Sequence, residues 1–214
     1  DNSGGSFDAD IFALYSKARS YHVVSGNTAM AFHFFRSEDA EVGSTVSDNS
    51  AYVSSFDEFN YNASAGALQE YWTNNYQIVH SANRLIDTMQ YLVSNGGELT
   101  PGDLINKYEA HMFRAYAYFN LVRGFGEIPL IDFKISDAAE ANIPKSPVSD
   151  IYVLIDKDLT EAEKLPTTWE TRFIGRFTYG AARALHAKTY MQRNDWGSKY
   201  TAAKDVMALT AIYS

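Results

Sequence analysis

The sequence contains no cysteine, which removes disulfides, thiolate zinc sites and a cysteine nucleophile together. The compartment stays open, because exported proteins without disulfides also lack Cys. No run of about 18 apolar residues exists, so nothing reads as a membrane-spanning helix. The opening stretch "DNSGGSFDAD" has neither a basic n-region nor an apolar h-region, so any signal peptide is expected to have been removed already. Basic residues are outnumbered: 18 Lys and Arg against 26 Asp and Glu give a net charge of −8. A general phosphate-backbone binder needs a basic face, so nucleic acid is not an expected partner.

Catalytic motifs are missing too. His22, His33, His80, His111 and His186 are scattered, with no H-E-x-x-H and no neighbouring carboxylate at ligand spacing. Each reads as a packed or surface histidine, and no metal or cofactor is expected. "SNGGELTPG" lacks the lysine of a phosphate-cradling loop and reads as a turn. Glu38 with Asp39, and Asp156 with Asp158, are pairs of the type a glycosidase uses. Acid–base work needs carboxyls about 5 to 10 Å apart across a cleft, whereas sequence neighbours read as solvated charges. No enzymatic activity is expected.

What is present is the composition of a globular domain, 46% apolar and 21% charged over 214 residues, long enough to bury a real core. Residues 8–18 read as a first short helix. Residues 25–66, rich in Ser, Asn, Asp and Gly, read as a long irregular loop region. From Tyr71, helical spacing of Tyr76, Val79, Asn83, Ile86 and Val93 predicts a long helix that "NGGELTPGD" stops. A helix follows from Pro101, capped by Thr100, to about Arg123, where Gly124, Gly126 and Pro129 end it. Residues 127–146 read as an irregular connector. Val148 to Ala162, "TYGAARALHAKTYMQRNDW" and "SKYTAAKDVMAL" supply three more helices. No segment alternates convincingly as a strand, so the class is all-α.

"FRAYAYFNLVRGFGEIPL" poses the question of whether its aromatics line a ligand groove or pack. On a helical wheel Phe113, Ala117, Leu121, Tyr118, Val122, Phe119, Met112 and Tyr116 occupy nearly every side, so the helix is expected to be covered all round. Ala110, Phe113, Ala115, Tyr118 and Phe119 align at one constant offset with Ala182, Leu185, Ala187, Tyr190 and Met191. Two helix pairs of similar design point to tetratricopeptide-like repeats, each pair covering its neighbour. The expected organisation is a helix-and-loop region over 1–69 and a helical scaffold over 70–214.

Four blocks carry a family resemblance: "WTNNYQIVHSANRLID" (72–87), "FRAYAYFNLVRGFGEIPL" (113–130), "SPVSDIYVLIDKDLTEAEKLP" (146–166) and "GRFTYGAARALHAKTYMQRNDW" (175–196). In this order and spacing they resemble SusD/RagB-like proteins. The resemblance implies a lipoprotein held on the outer-membrane surface by an acylated N-terminal Cys, absent from this chain. It implies binding of oligosaccharide, or in some members peptide, and delivery to a SusC-like TonB-dependent transporter. Family members usually continue for a second half beyond "ALTAIYS", and the apolar Val206, Met207, Leu209, Ile212 and Tyr213 read as a face that needs covering.

Sugar binding needs aromatic faces for pyranose rings and Asp, Asn or Arg for hydroxyls. Residues 36–75 supply both, as Arg36, Asp39, Asp48, Tyr52, Tyr61, Asn62, Trp72 and Asn75. Arg36, Asp39, Tyr61, Trp72 and Asn75 are the candidate ligand residues, Trp72 and Asn75 being one helical turn apart. The alternative for Trp72 is that it staples its helix to the stack. Two rival functions remain: a peptide-binding helical scaffold and a helical glycosidase.

Overall fold

The computed structural model describes residues 5–38, 40, 41, 43, 51–63, 65–137 and 139–209. Asp39, Asp48, Ile212 and Tyr213 lie outside these residues, as does the side chain of Tyr52. The described residues contain eight α-helices: α1 (Asp8–Ala18), α2 (Asn27–Met30), α3 (Ala51–Asp57), α4 (Gly66–Ser94), α5 (Pro101–Phe125), α6 (Val148–Ala162), α7 (Tyr179–Gln192) and α8 (Trp196–Met207). None of them is long and apolar enough to cross a membrane. The chain divides into two compact units, Asp1–Leu14 with Val79–Ser214, and Tyr15–Ile78.

In the first unit α5 packs against α6, α6 against α7 and α7 against α8, the stacked helix pairs expected of a tetratricopeptide-like scaffold. The start of α5 is fixed by a reciprocal cap: Asp103 N–H donates to Thr100 Oγ1 at 3.1 Å, and Thr100 N–H donates to Asp103 Oδ2 at 3.0 Å. Such a cap contributes about 1 kcal/mol. Pro101, with no N–H to lose, occupies the first turn. The helix runs two residues past Arg123, keeps Gly124 inside, and ends where Gly126 takes φ +73° and donates to the Val122 carbonyl. The 127–146 connector is tied by one short antiparallel ladder, β1 (Ile128–Pro129) on β2 (Lys145–Ser146), with Ile128 opposite Ser146.

The all-round pattern of α5 reports burial. From Glu109 to Val122 only Tyr116 is not fully covered. Phe113 meets the Phe177 ring edge-on at 4.9 Å. The repeat match fades along α7: Ala182 and Leu185 are buried like their counterparts, whereas Met191 is exposed.

Asp158 is not a solvated charge, and this corrects the sequence expectation. It is fully buried, and the Arg114 guanidinium grips it with Nε to Oδ2 and Nη2 to Oδ1, both at 2.8 Å. His111 Nδ1 lies 2.7 Å from Oδ1. Burial opposes the charge on Asp158, but Arg114 and His111 outweigh it and hold the carboxyl below its ordinary range. The remaining Arg114 nitrogen donates to Asn83 Oδ1 and to the Asp132 carbonyl, while Asn83 donates to the carbonyls of Ile131 and Phe133. One arginine therefore ties α4, α5, α6 and the connector together. A second clamp sets buried Arg176 on Glu109 and Asn106 of α5 and Asp8 of α1, over the Trp169 ring at 4.5 Å. Asp156 departs from the solvated reading as well, since Arg193 and His186 both hold it.

The second unit departs from the loop expected over 25–66. Tyr21–Ser25 and Ala31–Phe35 form single π-helical turns flanking α2, and α3 follows. The cause is tertiary. Ala31, Phe56 and Ala67 form a small core, with Phe32, Phe35, Tyr61 and Leu68 packed on it, and this burial outweighs the loop-forming residues between them.

Candidate functional site

Two of the candidate residues, Arg36 and Tyr61, meet in the Tyr15–Ile78 unit, on a set of stacked rings. Tyr71, buried in the first turns of α4, receives the Phe32 ring face to face at 4.1 Å and 9°. Its hydroxyl lies 3.1 Å from His33 Nε2. Phe56 of α3 stacks on Tyr61 at 4.4 Å and 17°, and Phe32 leans on Phe56 with centroids 6.0 Å apart. The four rings form a continuous aromatic wall, of which Phe56 and Tyr71 are buried and Phe32 and Tyr61 are partly exposed. Glu70 braces its flank, accepting from Thr28 Oγ1 at 3.0 Å and lying 3.1 Å from His22 Nδ1.

Arg36, just past the second π turn, extends along this wall. Its guanidinium carbon lies 5.7 Å from the Phe32 centroid and 5.8 Å from that of Tyr61, within reach of both ring faces. The side chain is half-buried, and Nε is cut off from solvent with no hydrogen-bond partner among the described residues. A guanidinium carries five donors in a fixed fork. Here it is positioned by the two rings.

The other candidates are placed differently. Trp72 is half-buried and lies against Tyr76, with centroids 4.9 Å apart. Asn75 is completely buried and donates to the Tyr71 carbonyl at 2.8 Å. The one-turn spacing thus does not present the two side chains on a common exposed face. The structure brings Arg36 to Tyr61.

Phe59 was not among the sequence candidates. It is 63% exposed and has φ +53°. It closes α3, donating to the Phe56 carbonyl while Asn60 donates back to Ser55 at 2.8 Å. The same closure ends α4, where Gly96 takes φ +82°, the residue such a position favours. A bulky side chain in this region costs about 1 to 2 kcal/mol. Strain of this kind is found at binding sites, and an exposed aromatic there is a ready stacking surface. No sequence signal marked it, because the position calls for Gly or Asn. Among the described residues no group of three His, Cys, Asp or Glu side chains is arranged to hold a metal ion.

Rings beside an arginine are side-chain types that sugars can use. A family model of SusD-like type, described as starch-binding and associating with the outer membrane, matches residues 15–191. The chain belongs to this SusD-like family. SusD-like protein P2 of Formosa agariphila is 35% identical over 138 residues, which are 61% of this chain and 25% of that protein. A SusD superfamily protein from Bacteroides vulgatus superposes with a TM-score of 0.81 at 18% identity, over 97% of this chain and 43% of its own. A laminarin-binding SusD-like protein superposes with a TM-score of 0.77 at 25% identity, over 92% and 41%. The chain spans about a quarter of the length of the curated SusD-like relatives it matches.

Proposed function

We propose that this SusD-like chain binds a neutral oligosaccharide on the aromatic wall of its Tyr15–Ile78 unit, without cleaving it. The observation that carries the reading is Arg36, a half-buried residue whose guanidinium lies over Phe32 and Tyr61. Sugar hydroxyls can accept from the terminal nitrogens of this guanidinium, and the exposed Phe59 ring, with the half-buried Trp72, offers stacking for pyranose rings. Asp39 stays in the proposed set as a hydroxyl acceptor, and Asn75 acts beneath the surface by fixing the turn that carries Tyr71 and Trp72. The laminarin-binding relative makes β-glucan fragments the first ligands to test. A binding role is supported further by the carboxylates of α6: Asp158 is locked on Arg114 and Asp156 on Arg193, so neither is poised as an acid or a base.

In the cell the whole protein would act at the outer-membrane surface, lipid-anchored, and pass its ligand to a SusC-like TonB-dependent transporter. The family's association with the outer membrane supports this setting. The test is titration calorimetry with laminari-, xyloglucan- and malto-oligosaccharides. Arg36→Ala and Tyr61→Ala are expected to weaken binding by about tenfold, or about 1.4 kcal/mol, with helicity unchanged. Unchanged affinity in both variants would remove the wall from the site, and sustained release of reducing ends would contradict a binding role.

A further inference from the structure

Val122 and Arg123 at the end of α5, Val148, Ser149 and Tyr152 in the first turns of α6, and Gln192 and Arg193 at the end of α7 line an open groove of about 540 Å³. Sites for small ligands run from about 300 to 1,000 Å³, so the groove has room for a sugar residue and part of its neighbour. It lies wholly within the Val79–Ser214 portion of the first unit and shares no residue with the aromatic wall.

Its two arginines are not equivalent. Arg193 is committed: both terminal nitrogens donate to Asp156, at 2.7 and 2.8 Å, and the guanidinium lies 4.9 Å from the Tyr152 centroid. Its charge is compensated inside the protein. Arg123 folds over the Phe119 ring at 4.3 Å and donates only to uncharged acceptors, the Phe119 carbonyl at 3.3 Å and Asn120 Oδ1 at 3.2 Å. Among the described residues no carboxylate lies within ion-pair distance of it. In a chain of net charge −8, this groove holds a positioned and uncompensated cation. The Gln192 amide also lines the groove, as does Ser149, whose hydroxyl donates to Asp150 at 3.2 Å. α6 begins there behind Pro147 with Asp150 in its first turn, while α5 and α7 end there, so helix ends of both signs meet at the groove. Val122 and Val148 add an apolar wall for the C–H face of a ring.

We propose that this groove binds an acidic saccharide residue, a pyranose carrying a carboxylate or a sulfate ester, with Arg123 as partner of the anion. Arg123 has no carboxylate partner among the described residues, and a charge-assisted hydrogen bond is about twice as strong as a neutral one, so the acidic sugar is favoured over its neutral counterpart. The proposal rests on the reading that this protein handles saccharides, yet concerns a separate site.

Calorimetric titration with trigalacturonic acid, a sulfated galactose trisaccharide and neutral galactotriose tests it, on the unaltered chain, Arg123→Gln, Arg123→Lys and Arg84→Gln, which removes an exposed arginine outside the groove. An acidic trisaccharide is expected to bind about tenfold tighter than the neutral one and to weaken as salt rises. Arg123→Gln should abolish that preference, Arg123→Lys should lower affinity but keep the salt dependence, and Arg84→Gln should change neither. Circular dichroism checks that the variants fold; Arg123 is an exposed residue. Binding of neither acidic sugar, or equal binding by Arg123→Gln, overturns the proposal. Inorganic sulfate binding as tightly at the same Arg123-dependent site also overturns it, leaving only a simple anion site. Loss of neutral β-glucan binding on the aromatic wall would be a separate result, which these titrations neither cause nor mask.

Discussion

Asp158 and Arg114 set the largest residue-scale stakes. Removing one partner of a buried ion pair leaves the other charged and unpaired, at a cost of about 3 to 5 kcal/mol. Asp158→Asn is therefore expected to lower stability in urea melts by that order, whereas a loss below about 1 kcal/mol would mean that the pair is hydrated. The folded-state carboxyl sits below its ordinary value, so its contribution is present above the usual carboxylate range and disappears as pH falls through the folded value. His186 has the opposite sign. Burial disfavours its cation, but Asp156 and Glu163, with Nδ1 2.6 Å from Glu163 Oε1, outweigh this and raise its pKa. Its contribution is complete below about pH 6.5 and is lost as pH rises through the folded value. The melting temperature should thus fall over that rise, and the fall should vanish in His186→Gln. Phe59 gives a prediction in two directions: Phe59→Gly should raise stability by about 1 kcal/mol by removing left-handed strain, and weaken oligosaccharide binding. A variant that is more stable and binds equally well would make Phe59 a bystander.

The helices show what periodicity delivers. Val148–Ala162 and the Thr100 start of α5 stand where the sequence pattern places them, because apolar spacing, a capping threonine and a first-turn proline are local signals. Covering α5 all round predicts that Phe119→Ala costs about 3 to 5 kcal/mol, since Phe119 is buried; the same change should also loosen Arg123, which lies on that ring. Denaturant melts decide the first effect and acidic-sugar titration the second. The turn at Ala31–Phe35 was illegible for a physical reason: it exists because Phe32 and Phe35 pack on the Ala31, Phe56 and Ala67 core, which no short window contains. The site divides in the same way. Arg36 and Tyr61 could be named from residue type and do meet, while the spacing of Trp72 and Asn75 gave their side of the helix but not what covers it. Phe59 broke the rule that would have revealed it.

At the scale of the molecule, α8 carries Trp196, Tyr200 and Met207 at helical spacing on one side, each more than half exposed. Such a stripe binds apolar dyes and drives association. The chain is expected to bind ANS and to sediment with a concentration-dependent mass, and Tyr200→Glu with Met207→Glu should suppress both; a monomer without dye binding at all concentrations contradicts this. The arginine at the centre of α5 also sets a timetable. Arg114 precedes Asp158 by 44 residues, and synthesis adds roughly 5 to 20 residues per second. For a few seconds the nascent α5 therefore carries its arginine without the carboxylate that compensates it in the folded protein. The lock on the stack is expected to close only when α6 supplies that carboxylate.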